Sequence, residues 1–205
     1  MKEYIAQFIL IVFSVVLGLF LSERIEERKK NREAEELLTT IVSEVKDNYQ
    51  LLNYWVPYHQ EIKKNLDSLS QEAVFIEAFK KDRYIFFETL FTRGTFMGRK
   101  PANDAWDIAK SHPLIVNINY DKYLILSRIY SQQELTFEPA PKAFELFNSK
   151  DVNSEENAAT NLGLIADNLH ELVAREKELM YYYKQAAEIL NLKADKKADK
   201  EAVNK

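Results

Sequence analysis

Residues 4–55 read YIAQFILIVFSVVLGLFLSERIEERKKNREAEELLTTIVSEVKDNYQLLNYW, and how far this run stays helical decides the fold. Its first part, residues 4–21, is apolar but for Gln7, Ser14 and Gly18, and carries no charge. Eighteen helical residues span about 27 Å, close to the roughly 30 Å hydrocarbon core of a bilayer. A cleaved signal peptide would show a basic start, a shorter apolar run and a small-residue exit. The chain instead starts Met1-Lys2-Glu3 and leaves the run through Leu21-Ser22-Glu23-Arg24. A core helix of a soluble protein is typically apolar over only about 10–14 residues. The expectation is a retained transmembrane anchor over residues 1–22, with the lipid bilayer as its partner.

Two features of the anchor predict how it sits. Ser14, Gly18 and Ser22 recur at every fourth position and share one face. Small residues at that spacing allow close backbone approach in lipid, so they are candidates for membrane-helix association and a homo-oligomer. Basic residues flank one end: Arg24, Arg28, Lys29, Lys30 and Arg32, against Lys2 alone at the other. That asymmetry predicts a cytoplasmic C-terminal domain at the inner membrane.

Beyond the anchor no helix breaker occurs until Pro57. Residues 23–36 have almost no apolar stripe and read as a charged, solvated helical stalk. Leu38, Ile41, Val45, Leu52 and Trp55 then step by three and four, with Asn48 in the one gap, which makes a coiled-coil-like seam. Pro57 is expected to kink or break the helix, because it lacks an N–H and crowds the preceding turn.

Four glycines and five prolines in 205 residues are too few for the turns of a sandwich, barrel or open α/β sheet. All five prolines lie between Pro57 and Pro141, so the breaks gather in the middle. There the aromatic run 72–92 is expected to place Tyr84, Phe87 and Phe91 on one side. Asn103 is placed to cap a short helix through Lys110, and Leu114 to Ile118 reads as an extended connection. Asn119 caps a helix over 120–136. Residues 138–141 form a stiff joint before a short helix over 142–148, and Asn153 with Glu156 signals the start of the last helix. In that helix Leu162, Ile165, Leu169, Leu172, Glu176, Leu179, Tyr183, Ala186 and Leu190 step 3,4,3,4 with Glu176 the one charged residue.

The fold class is therefore all-α: an N-terminal transmembrane helix continuing into an elongated bundle over 37–192, then a polar flexible tail over 193–205. The two long seams are expected to pair antiparallel within a chain or across chains.

Chemistry is sparse. Absent cysteine excludes disulfides, thiolate metal sites and a Cys nucleophile. His59, His112 and His170 share no ligand spacing. Asp167 and His170 lie on one helical face, but a di-iron bundle needs several converging ligands. Gly94 to Lys100 lacks the G-K-[ST] ending of a phosphate loop. Lys80, Lys81, Arg83, Arg93, Arg99 and Lys100 form a basic cluster that could meet an anion. A net charge of −4 argues against a nucleic-acid partner. No catalytic, cofactor or metal site is expected, and no cofactor.

Two stretches carry a resemblance. Phe8-Ile9-Leu10-Ile11-Val12 through Gly18-Leu19, running into Glu26-Glu27-Arg28-Lys29, is the first. Ala105-Trp106-Asp107-Ile108-Ala109 followed by Tyr123, Leu126-Ser127-Arg128-Ile129-Tyr130 and Gln133 is the second. Over about residues 5–135 the chain resembles an uncharacterised family of bacterial (Bacteroidetes-type) single-pass membrane proteins. It departs from that pattern at Ser22 to Ile25 and around His112-Pro113. The resemblance implies membrane attachment, a helical extramembrane domain and no catalytic residues, with Trp106 and Tyr130 as core anchors. The expected role is a non-enzymatic interaction, scaffold or assembly module with a protein partner. The alternative is a sensor whose bundle binds a small ligand and signals through the long helix.

Overall fold

The computed structural model describes residues 2–190, and the expected tail over 193–205 lies outside them. Within that range the chain is all-helical. The order is α1 (Lys2–Leu69), α2 (Ala73–Lys81), α3 (Ile85–Leu90), α4 (Asp104–Lys110), a 3-10 turn (Pro113–Asn117), α5 (Tyr120–Phe137), α6 (Pro139–Asn148) and α7 (Ala158–Ile189).

The 68 residues of α1 extend about 100 Å. Of the expected kink or break at Pro57, the break does not occur: the helix runs through it. Proline withholds an N–H from the Asn53 carbonyl, yet the turn is held from outside. Arg93 Nη1 donates to the Tyr54 carbonyl at 3.1 Å. Its guanidinium also lies 4.4 Å and 4.5 Å from the ring centres of Tyr54 and Tyr58. The seam therefore continues past the proline, as Ala34, Leu38, Ile41, Val45, Asn48, Leu52, Trp55, His59, Ile62 and Leu66. All ten are buried at a spacing of four and three. Burial starts at Ala34, inside the segment read as stalk, so the bundle begins a turn earlier than residue 37.

Over the first third of the same helix the described side chains lie bare. Every described side chain from position 7 to 32 is exposed. This stretch makes α1 long and apolar enough to cross a membrane.

The core lies between α1, α5 and α7. Helix α7 runs antiparallel to α1: His59 meets Glu176, and the Tyr49 ring stacks on Tyr183 at 5.8 Å. Every seam position of α7 from Leu162 to Ala186 is buried. Helix α5 runs parallel to α1 in a steady register, shown by Asn117 with Asn31, Lys122 with Glu35, and Tyr130 with Glu44. Helices α2 and α3 cover the end far from the apolar stretch, while α4 and the 3-10 turn lie along α1.

Local chemistry sets the remaining boundaries. Asp82 Oδ1 accepts from the Tyr84 N–H at 2.9 Å, an Asx turn that separates α2 from α3. In α3 Phe86 and Leu90 are buried, while Phe87 and Phe91 are half-buried and Tyr84 is exposed. Residues 113–117 form a 3-10 turn instead of an extended connection, started by Pro113 and by His112 Nδ1 accepting from Leu114 N–H. Asn119 caps α5, its Oδ1 accepting from Asp121 and Lys122 N–H. The expected joint at 138–141 is itself helical, because Pro139 takes the first position of α6, where a missing N–H costs nothing. Asn153 does not start the last helix. Its Nδ2 donates to the Lys80 carbonyl at the end of α2, and α7 begins after Asn157.

Candidate functional site

Polar side chains enter the core where the seams are interrupted, and they gather in three places. The first is at Asn48. Its Oδ1 accepts from Ala102 N–H at 2.8 Å and its Nδ2 donates to the Ala102 carbonyl at 2.7 Å. Gln133 on α5 donates to the same carbonyl at 3.0 Å, and Tyr183 on α7 donates to Gln133 Oε1 at 2.9 Å. Helices α1 and α5 thus hold both backbone groups of Ala102, in the segment before α4, and α7 braces Gln133. A buried amide left without such partners would cost about 1–3 kcal/mol, so the network fixes where that segment docks.

The second place is Glu44, which flanks the α1 seam on the side of α4 and α5. Tyr130 Oη donates to Glu44 Oε1 at 2.6 Å, and Glu44 Oε2 accepts from Ala105 N–H at 2.9 Å. Glu44 is therefore the side-chain cap of α4, a favourable site for a carboxylate at a helix N-terminus. Asn103 occupies the cap position, as read from the sequence, but its amide donates to Asp107 Oδ2 instead. Trp106 and Tyr130 are both buried and stack at 5.2 Å with rings 2° from parallel. Burial, and then the Glu44 carboxylate, push the Tyr130 phenol well above its ordinary range. Burial does the same to Tyr183, against a smaller opposing effect of the Asn48 amide.

The third place joins the two seams directly. His59 Nδ1 lies 2.6 Å from Glu176 Oε1, and both side chains are fully buried. His59 Nε2 lies 3.0 Å from the Phe96 carbonyl, which only accepts, so Nε2 carries a hydrogen and donates. One further proton then sits between Nδ1 and Oε1. Whether it rests on nitrogen or oxygen, the pair is neutral overall. Phe96 stacks on the imidazole at 4.2 Å, and Trp55 lies on it at 6.1 Å. The loop that carries Phe96 is clamped to α1. Tyr58 Oη donates to the Thr95 carbonyl at 3.1 Å, and a Cβ on Gly98 would sit 3.3 Å from the Trp55 ring. Neither residue of the pair lines a groove described for the surface. The pair ties α1 to α7 at this register.

Grooves open on the surface of the bundle. One of about 700 Å³ lies between α4 and α5, lined by Asn103, Trp106, Lys110, Ser127, Tyr130 and Glu134 among others. A more apolar one of about 500 Å³ includes Phe87, Phe91, Phe96, Arg99 and Phe137.

The residues singled out from the sequence are distributed as follows. Ser14 Oγ donates to the Leu10 carbonyl, and Ser22 and Gly18 lie exposed on the bare part of α1 with open space at Gly18. Arg24 rests over the Phe20 ring, and Lys29, Lys30 and Arg32 pair with Glu33, Glu26 and Glu36 one turn away. The basic cluster is not brought together. Lys80 pairs with Glu77 and Glu155, Arg83 donates to the Ser149 carbonyl, and Arg93 packs on the Pro57 turn. Asp167 and His170 face solvent. No three His, Asp or Glu side chains converge to hold a metal among the described residues.

The His59–Glu176 pair carried a sequence signal. Glu176 is the lone charge in its seam, and His59 is the next seam position after Trp55 once the helix is allowed through Pro57. Glu44 carried none, since it lies off the seam among other acids. No family model, curated protein or solved structure matches this chain.

Proposed function

We propose that the protein is a membrane-anchored helical interaction module, a scaffold or assembly subunit without catalytic activity, whose bundle docks a protein partner and faces the cytoplasm. The observation that supports this most is the division of α1. Twelve large apolar side chains between residues 8 and 21 are exposed, while the same helix supplies the core of the bundle further on. Leaving them in water costs on the order of a few tens of kcal/mol at about 1.5–3 kcal/mol each, which lipid removes. The buried polar residues tie helices to one another, which suits a rigid platform. The small-residue face Ser14, Gly18 and Ser22 is the proposed contact of a homo-oligomer. The resemblance to Bacteroidetes-type single-pass membrane proteins belongs to the same reading. Trp106 and Tyr130, which carry part of it, are stacked in the core.

The test is membrane extraction. Val12→Arg with Val16→Arg should release the protein from carbonate-washed membranes, since on the insertion scale each apolar residue contributes only about 0.3–0.6 kcal/mol and each central arginine costs about 2.5–3.5 kcal/mol. Retention of the double variant would contradict the proposal. A C-terminal phosphatase fusion that is active would reverse the orientation.

One observation favours the sensor as a second reading. The floor of the α4–α5 groove is the Trp106–Tyr130 stack, and Tyr130 is bonded to Glu44 on α1. A ligand in that groove would act on the long helix directly. Ligand-dependent melting that Tyr130→Phe abolishes would support it.

A further inference from the structure

We infer that the α4–α5 connection is a second membrane-contact surface, which inserts Val116 and its neighbours into the interfacial layer of the bilayer that holds α1. This rests on the membrane-anchor reading above. Ile108 in the last turn of α4, Val116 in the 3-10 turn and Tyr120 at the start of α5 are 67%, 82% and 71% exposed. Val116, beside Asn117, is the barest and nearest the span; Ile108, in the helix that Glu44 caps, and Tyr120, two residues before the Lys122 paired with Glu35, stand further along α1.

Their place in the fold says what covers them. The parallel register of α5 and α1 points the N-terminus of α5 back toward the apolar stretch. Asn117 Nδ2 donates to Asn31 Oδ1 at 3.3 Å, which sets the 3-10 turn against α1 where burial begins. Below that point every described side chain of α1 from position 7 is exposed, so among the described residues this connection is the part of the domain nearest the span. Asn31 is ten residues beyond Leu21, about 15 Å along the helix. The headgroup layer takes up about 5–7 Å of that rise. A helix tilt of about 20°, the average for membrane spans, lowers a surface offset sideways by about 10–15 Å by another 4–5 Å. Side-chain length closes the rest. The bilayer is thus a neighbour at fixed distance, whereas any other occupant would have to be recruited.

The contact is apolar in kind. Lys110 is paired with Asp107 at 2.8 Å and Lys122 with Glu35 at 3.7 Å, so the basic residues around the patch are matched by acids. Insertion should therefore depend little on anionic lipid.

The chain has no cysteine, so single substitutions carry a fluorophore cleanly. Val116→Cys, Val74→Cys and Phe13→Cys in the full chain are each labelled with NBD and reconstituted in phosphatidylcholine vesicles, with and without phosphatidylglycerol. Val74 is a matched control, 82% exposed on α2 at the far end. The expected result is a blue shift at 116 and quenching by spin-labelled lipid several-fold stronger than at 74, similar in both lipid mixtures. Quenching at 13 with position 116 behaving like 74 overturns the inference and leaves the anchor standing. A blue shift at 116 without lipid quenching also overturns it, because protein then covers the patch. No quenching at 13 removes the anchor reading, and this inference with it.

Discussion

The two parts of α1 are one helix written for two surroundings. From position 7 to 32 every described side chain is exposed, and the apolar residues run around every face as far as Leu21. From Ala34 to Leu66 the apolar residues narrow to one stripe, and that stripe is the core. Periodicity, more than apolar content, separates the part buried against protein from the part that is bare on all sides.

Three substitutions sharpen that contrast, because each should disturb the bundle and leave the bare part alone. The largest effect is expected for Trp106→Ala, which removes a buried ring from the stack on Tyr130 and should cost about 3–5 kcal/mol. Thermal melting in detergent should fall sharply while membrane extraction is unchanged; an unaltered melting temperature would mean that Trp106 is not a core anchor.

Glu176→Leu comes next. It leaves His59 Nδ1 buried without a partner, at a cost of about 1–3 kcal/mol. Adding His59→Leu removes the orphaned group, and the double variant should regain much of the loss. If the double variant is as unstable as the sum of its singles, the pair is not coupled and the register of α1 against α7 is set elsewhere.

The smallest effect concerns pH. Burial holds the Tyr130 and Tyr183 phenols above their ordinary range in the folded chain, so the unfolded chain gives up these protons first. Their contribution is complete below about pH 10 and is lost as pH rises beyond it, by up to about 1.4 kcal/mol per pH unit for each group. Denaturant titration between neutral and strongly alkaline pH should show that fall, and Tyr130→Phe should make it shallower. An equal slope in the variant would show that Tyr130 ionises freely.

The seams were legible because burial writes a period into a long helix, and both were readable position by position. Pro57 misled because its cost is local, while the Arg93 guanidinium that props the turn comes from 36 residues away. Allowing the helix to end there hid His59 as a seam position, and with it the partner of Glu176. The short elements were read less well for a similar reason. Asn103 and Asn153 each have the chemistry of a cap, but Glu44 takes the role at α4 and Lys80 draws Asn153 to α2. Local side-chain preference competes there with tertiary partners that no spacing announces. Asn119, with no such competitor, caps the helix it precedes.

The central claim is that one continuous helix passes from lipid into a protein core. Spin labels on single cysteines stepped along α1, in the full chain in proteoliposomes, test it most directly. Positions 8 to 20 should each show high accessibility to oxygen and low accessibility to a water-soluble nickel reagent. From 34 to 66 accessibility should dip every three to four residues, unbroken across Pro57. Nickel accessibility throughout 8–20, or a period that fails at Pro57, would contradict it.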